Sequence, residues 1–305
     1  TALRLAKEGY AVIATGRRAD RLATLRAEIE AAGGRCTTLA FDVRSEEEVR
    51  RNLSPLENID LLVNNAGLAA GLEHIDLGDT RDWDAMIDTN VKGLLYVTRV
   101  IAPKMVAAGR GHIFNIGSIA GTEAYENGAV YCASKHAVHA ISQSMRADLL
   151  SAGIKVTEIR PGMVETEFSE VRFHGDKKRA DAVYDGVEPL TGADIAEAIA
   201  WAAQLPAHMN VNDMVLMPRS RRERITRTGK QNRQRYDISY DCPAPGRLCR
   251  AARRALRRRD DGHVRPDHRH RRHRVHRAGA PAIGVQEVFE GAVPRRADRR
   301  RGRRE

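Results

Sequence analysis

Short apolar runs rich in β-branched residues alternate with longer stretches in which apolar positions recur every three or four residues, from the start of the chain to about residue 218. Residues 10–15 predict a buried strand. Residues 18–32 predict a helix with Leu22, Leu25 and Ile29 on one face, ended by Gly33-Gly34. A second strand over 36–41 precedes a helix over 46–53 that Ser45 can cap. Residues 59–63 predict a third strand and 83–108 a long helix. The pattern then gives a strand at 112–116, a helix at 129–150, a strand at 155–159 and a helix at 193–204. Strands alternating with helices of this length lie parallel and are joined by right-handed crossovers. The predicted fold is α/β, a Rossmann-like doubly wound parallel sheet in three layers.

The pattern stops near Pro218, and charge marks the same boundary. Residues 1–218 carry 23 Lys and Arg against 30 Asp and Glu, a net −7. Residues 219–305 carry 28 against 10, a net +18, and 27 of those 28 cations are Arg. Charge runs at 257–259, 268–277 and 299–304 leave 280–293 as the only apolar island. So little apolar surface cannot offset the entropy of ordering, so 219–305 is expected to be a mostly disordered basic tail behind a folded domain of residues 1–218. An Arg-heavy, Lys-poor stretch is also what a shifted reading frame of GC-rich DNA encodes. No apolar run reaches the length of a membrane span, and residues 1–10 lack a signal-peptide pattern. The four cysteines are too few for a disulfide framework, and Cys242 and Cys249 match zinc spacings poorly. A cytoplasmic protein without a metal is expected.

In an open parallel sheet, ligands bind beyond the carboxyl ends of the strands. After the first strand comes Gly16-Arg17-Arg18. A carboxylate at such a strand end accepts from a ribose 2′-hydroxyl, whereas two guanidinium groups suit a 2′-phosphate. A solvated helix start explains the pair equally well. Asp42-Val43 reads as an ordinary helix entry and Asn64-Asn65-Ala66-Gly67 as a turn. A sharper signal is Ser118, placed after a strand, with Tyr131 and Lys135 four residues apart and so on one helix face. An ammonium near a phenol lowers its pKa towards the range of an acid–base catalyst, and a serine hydroxyl beside them can polarise a carbonyl oxygen.

With these residues in order, 1–218 resemble the classical short-chain dehydrogenase/reductase family. The carrying segments are Asn64-Asn65-Ala66-Gly67, Asn90 within Thr89-Asn90-Val91-Lys92-Gly93, Ile116-Gly117-Ser118, Tyr131-Cys132-Ala133-Ser134-Lys135 and Pro161-Gly162. Within it the chain is most similar to the NADP-dependent 3-hydroxy acid (serine 3-) dehydrogenases, through Ala14 to Arg18, Met86 to Asn90, Thr166 to Phe173 and Leu205 to His208. The resemblance implies NADP as cofactor and a small 3-hydroxy acid or semialdehyde as substrate. It implies that Tyr131 exchanges a proton with the substrate oxygen, that Ser118 orients it, and that Lys135 lowers the tyrosine pKa and holds the nicotinamide ribose. Asn90 completes a water relay to Lys135. Arg17 and Arg18 hold the 2′-phosphate, Asp42 and Val43 line the adenine pocket, Asn65, Ala66 and Gly67 pass the adenosine side, and Pro161, Gly162, Val164 and Thr166 face the nicotinamide. Arg172 is the candidate partner for a substrate carboxylate, the alternative being a surface arginine paired with Glu167 or Glu170.

Two departures from the family follow. Its first strand and glycine-rich phosphate turn are missing, since residues 1–9 resemble the rest of the helix that follows them. In the family that strand is central, between the second and fourth, so two rows of ladder hydrogen bonds are expected to go unmade and NADP binding to be weak. The chain as written is then an inactive copy. The other departure is residue 219 onward, which carries no resemblance. Its cations imply nonspecific binding to nucleic acid or other polyanions, the alternative reading being a non-catalytic fragment with a polyanion-binding tail. The family also implies a homo-oligomer, a dimer or tetramer, built on the helices at 83–108 and 129–150.

Overall fold

Local signals place the first elements. In this computed structural model, which describes residues 1–219 and the backbone of Val288–Glu290, α1 (Ala2–Lys7) leads into β1 (Ala11–Gly16). Next come α2 (Ala19–Ala31), with Leu22 and Ile29 buried, and β2 (Arg35–Ala40). Ser45 caps α3 (Glu46–Leu53), its hydroxyl accepting from the Glu48 amide at 3.2 Å. β3 (Leu61–Asn64) is buried at every position. The helix expected over 83–108 starts earlier and is not uniform. α4 (Thr80–Ile87) passes into a π-helical turn at Asp88–Gly93 and continues as α5 (Leu94–Ala108). Such wide turns recur at functional sites, and this one carries Asn90.

β4 (His112–Ile116) is followed by a short 3₁₀ turn (Ile119–Gly121), α6 (Ala129–Leu149) and β5 (Lys155–Pro161). Between 164 and 191, where the apolar pattern gave nothing, lie β6 (Val164–Glu165), α7 (Phe168–Arg172), α8 (Lys177–Asp181) and β7 (Leu190–Thr191). A capping box between Thr191 and Asp194 opens α9 (Gly192–Ala203), and β8 (Asp213–Leu216) follows.

The main sheet runs β2-β1-β9-β3-β4-β5-β8, where β9 is Val288–Glu290, and β6 pairs separately with β7. The pairs β1–β2, β3–β4, β4–β5 and β5–β8 are all parallel. The pleat of β3 sends Leu62 into one core, with Val49, Leu53, Val97, Ile101 and Val138. Leu61 and Val63 enter the other, with Leu5, Leu22, Ile29 and Ile199. One core lies under α3, α5 and α6 and the other under α1, α2 and α9, which gives the three predicted layers. With both faces covered, near-continuous apolar strands are what a parallel sheet requires.

The sheet corrects two expectations. The central place is filled rather than empty: β9 pairs antiparallel with Ala11–Ile13 of β1 and with Leu61 and Leu62 of β3. Buried strand edges need partners, and a segment of the apolar island at 280–293 supplies them. The sheet is accordingly not wholly parallel, and the basic tail contributes three residues to it. The rest of that tail, with its expected disorder and polyanion binding, lies outside the described residues.

Candidate active site

The carboxyl ends of β3, β4 and β5 open on the same side, and the residues singled out in the sequence gather there. Ser118 follows β4 as the extended residue that caps the 3₁₀ turn, its hydroxyl accepting from the Ala120 amide at 3.1 Å. Tyr131 and Lys135 lie one turn apart on α6, and Ser118, Tyr131 and Lys135 are all buried. Burial pushes the Tyr131 phenol well above its ordinary range. A hydrogen bond with the Ser118 hydroxyl opposes that, Tyr125 adds to it, and the Arg172 guanidinium pulls it back.

Lys135 differs from its expected geometry. Its Nζ donates to the Ile116 carbonyl at 2.8 Å, at the end of β4, and it is not among the groups that shift Tyr131. Burial brings the ammonium down to about 8, with the charge of Glu158 acting in the opposite direction. Asn90 is fully engaged. Its Oδ1 accepts from the Leu68 amide at 2.8 Å, and its Nδ2 donates to the Leu68 carbonyl at 2.9 Å and to Ser134 Oγ at 3.0 Å. Gly67 sits where Asn90 and Lys135 converge: a Cβ on it would lie 3.3 Å from Asn90 Oδ1 and 3.4 Å from Lys135 Nζ. A side chain on this turn would press both by a few tenths of an ångström.

Arg172, at the end of α7, comes over the same site. Its guanidinium carbon lies 5.6 Å from the ring centre of Tyr125 and 5.8 Å from that of Tyr131, within cation–π range. Two hydrogen bonds tie it to Gly71, Nε to the Gly71 carbonyl at 3.2 Å and the Gly71 amide to its own carbonyl at 2.9 Å. Among the described residues no carboxylate pairs with it. Glu167, the alternative partner, binds Arg18 at 3.0 Å and also Arg21. An open pocket lies here, lined by Gly71, Glu73, Asp82, Trp83, Tyr131 and Arg172 among others.

The residues expected along the cofactor are more dispersed. Arg17 and Arg18 are exposed in the turn after β1. Arg21 and Arg18 together hold the Glu167 carboxyl below its usual range. Asp42 is half-buried and bonded to Arg44 through Nη2 at 2.6 Å, while Val43 points into the core, where Gly93 has no Cβ to obstruct it. Val43 is therefore part of the packing beneath the π turn. Asn65 is exposed, and Ala66 and Gly67 are half-buried. Pro161 is buried at the end of β5, and the Gly162 amide donates to the Leu216 carbonyl at 2.8 Å. Val164 pairs with Leu190, and Thr166 Oγ1 accepts from the Phe168 amide at 3.2 Å.

Sequence reasoning missed a polar ladder under the site. Asn64 Nδ2 reaches Thr98 Oγ1 at 3.1 Å and Asn115 Oδ1 at 2.9 Å, and Asn115 Nδ2 donates to Ser142 Oγ at 2.9 Å. It joins β3 and β4 to α5 and α6. The available signal was a polar residue inside an apolar strand, which Asn115 and Glu158 both are.

Comparison with known proteins agrees with this arrangement. Residues 1–177 match the model of the short chain dehydrogenase family. The NADP-dependent 3-hydroxy acid dehydrogenase YdfG of Salmonella typhi is 46% identical over 222 residues, covering 71% of this chain and 88% of that protein. Serine 3-dehydrogenase of Rhizobium radiobacter is 43% identical, covering 72% and 88%. The closed form of a serine dehydrogenase complexed with NADP+ superposes with a TM-score of 0.71 at 43% identity, covering 75% of this chain and 93% of that one. With a buried Ser118–Tyr131–Lys135 group at the strand ends and matches over this length, the chain belongs to the short-chain dehydrogenase family of oxidoreductases.

Proposed function

We propose that the protein is an NADP-dependent dehydrogenase/reductase whose substrate is a small 3-hydroxy acid or the corresponding semialdehyde. One observation carries the substrate class: a guanidinium with no carboxylate partner among the described residues stands 5.8 Å from the ring of the buried tyrosine that touches Ser118. A carboxylate on Arg172 would bring the rest of a short hydroxy acid over the Tyr131 ring. Relatives named as 3-hydroxy acid and serine dehydrogenases support the same class.

The residues present fit the two ends of the cofactor, and among the described residues no glycine-rich turn holds its pyrophosphate. Two exposed guanidiniums stand at the end of β1, and Gly67 leaves room beside Asn90 and Lys135. Arg17 and Arg18 would hold the 2′-phosphate, with Asn65, Ala66 and Gly67 beside the adenosine and Pro161, Gly162, Val164 and Thr166 beside the nicotinamide. NADP supplies or takes the hydride. Tyr131 moves the proton at the substrate oxygen, and Ser118 holds that oxygen in line. Lys135, buried and held on the Ile116 carbonyl, would hold the nicotinamide ribose, and Asn90 fixes the backbone of Leu68. A homo-oligomer built on α4–α5 and α6 is part of this reading.

The test is NADPH binding by fluorescence, followed by turnover with malonic semialdehyde, 3-hydroxypropionate and serine. Binding with turnover that Tyr131→Phe abolishes supports the reading. Binding with turnover of neutral alcohols alone overturns the substrate class, and failure to bind NADPH overturns the cofactor.

A further inference from the structure

α6 carries Lys135 and His139 one turn apart, so both face β4 and β5. From β5, the wholly buried Glu158 meets His139: Oε2 lies 2.6 Å from His139 Nδ1. Its other oxygen, Oε1, is buried and has no hydrogen-bond partner. That oxygen lies against Gly117, where a Cβ would overlap it. Gly117 separates Ile116, whose carbonyl holds the Lys135 ammonium, from Ser118. The unsatisfied carboxylate oxygen is therefore packed against the segment of backbone that presents both groups. His139 satisfies one oxygen only, and a buried carboxylate oxygen without a partner is costly, so its retention here asks for a further charge that it serves.

We propose that Glu158 is a positioning residue for the reaction: a buried counter-charge, pinned by His139 and packed against Gly117, that holds the Lys135 ammonium on the Ile116 carbonyl one helical turn from Tyr131. The inference rests on the dehydrogenase reading only for its effect on turnover. Other charged groups face Glu158 too. Asp213 of β8 lies 3.7 Å from His139 Nδ1, and Arg146 and Arg160 approach Asp213 at 3.5 and 3.9 Å. Burial pushes the Glu158 carboxyl up, His139 and Arg160 pull it back, and Asp213 adds to the rise. The two arginines flanking Asp213 make this cluster an ion-pair network and disfavour a cation in it.

The sign of the effect follows from Coulomb's law. With Glu158 charged, the Lys135 ammonium is stabilised against the burial that brings it to about 8. Glu158→Gln keeps the shape and removes the charge, so Lys135 should lose its proton at lower pH. The direct measurement is the ¹³Cε chemical shift of labelled lysines against pH, with Lys135 assigned by its loss in Lys135→Met. In Glu158→Gln the Lys135 midpoint should fall by about one unit, a tenfold change in its protonation constant. The alkaline limb of kcat should fall with it, while KM for NADPH stays unchanged. His139→Leu, which changes a partly exposed side chain, should move the midpoint in the same direction by less, and it serves if Glu158→Gln does not fold. A Lys135 midpoint that stays put in both variants overturns the proposal even if the enzyme is active. A midpoint that falls in a protein without turnover supports it and overturns the dehydrogenase reading alone.

Discussion

The two ends of the cleft are held by different forces. At the catalytic end, Ser118, Asn90, Tyr131 and Lys135 are buried and tied to backbone or to each other by hydrogen bonds between regular elements. At the end where a 2′-phosphate would bind, Arg18 and Arg21 are exposed and reach across to Glu167. Buried hydrogen bonds are costly to break because the groups left behind are desolvated, whereas exposed ion pairs contribute about 0–1 kcal/mol and fade with salt. On the proposed function, the protein would pre-form the part that does chemistry and leave the 2′-phosphate end under exposed ion pairs. Glu167 follows β6 and precedes α7, the helix that carries Arg172. Those ion pairs therefore connect to the segment that carries the proposed carboxylate partner.

The change that should break this contrast most severely is Tyr131→Phe. Loss of the proton-transferring group should lower kcat by about 10²–10⁴-fold, with NADPH affinity by fluorescence unchanged. Next in size, Arg172→Ala removes a charged hydrogen-bond donor worth about 1.5–3 kcal/mol. Steady-state kinetics should show KM for 3-hydroxy acids rising by about 10–100-fold and KM for neutral alcohols hardly moving. Equal losses on both would make Arg172 a packing residue.

The exposed ion pairs should respond on a smaller scale and in two directions. Arg18→Ala should weaken NADPH several-fold while leaving NADH unchanged, because only the former carries the phosphate. Glu167→Gln frees Arg18 and should tighten NADPH by about twofold, within the range of an exposed pair. Opposite signs in titrations of these two variants sharpen the comparison, and like signs remove it. The smallest effect is expected for Gly67→Ala, where the neighbours need yield only a few tenths of an ångström. Its trace should be a modest fall in kcat with unchanged thermal stability.

The layers, the cores and most elements were legible because apolar periodicity reports burial directly, as the alternation at Leu61, Leu62 and Val63 illustrates. The gathering of Ser118, Tyr131 and Lys135 was legible because a helical spacing of four and a strand end fix where these residues lie. The π turn was not, since widening one turn changes no residue type. The partner of Lys135 was not, because a flexible side chain chooses among acceptors only once β4 and α6 are packed. The core-facing side chain of Val43 was hidden for a related reason, since it follows a strand, like a cleft residue. The pairing of β9 was hidden because its partners lie at the other end of the sequence.

That strand has a consequence for how the molecule assembles. β1 and β3 meet only through β9, so the pair β2–β1 and the group β3–β4–β5–β8 share no direct ladder. The backbone ladder between them rests on three residues drawn from beyond residue 280, while the core of Leu5, Leu22, Ile29, Leu61, Val63 and Ile199 spans both. Pairing across so much chain incurs a large loop-closure entropy and is among the last contacts to form. The backbone seam between the two sub-sheets is therefore weaker than the apolar core that spans it. Amide exchange should be fastest along that seam, at Ala11–Ile13 and Leu61–Leu62, although these are among the most deeply placed strands of the sheet.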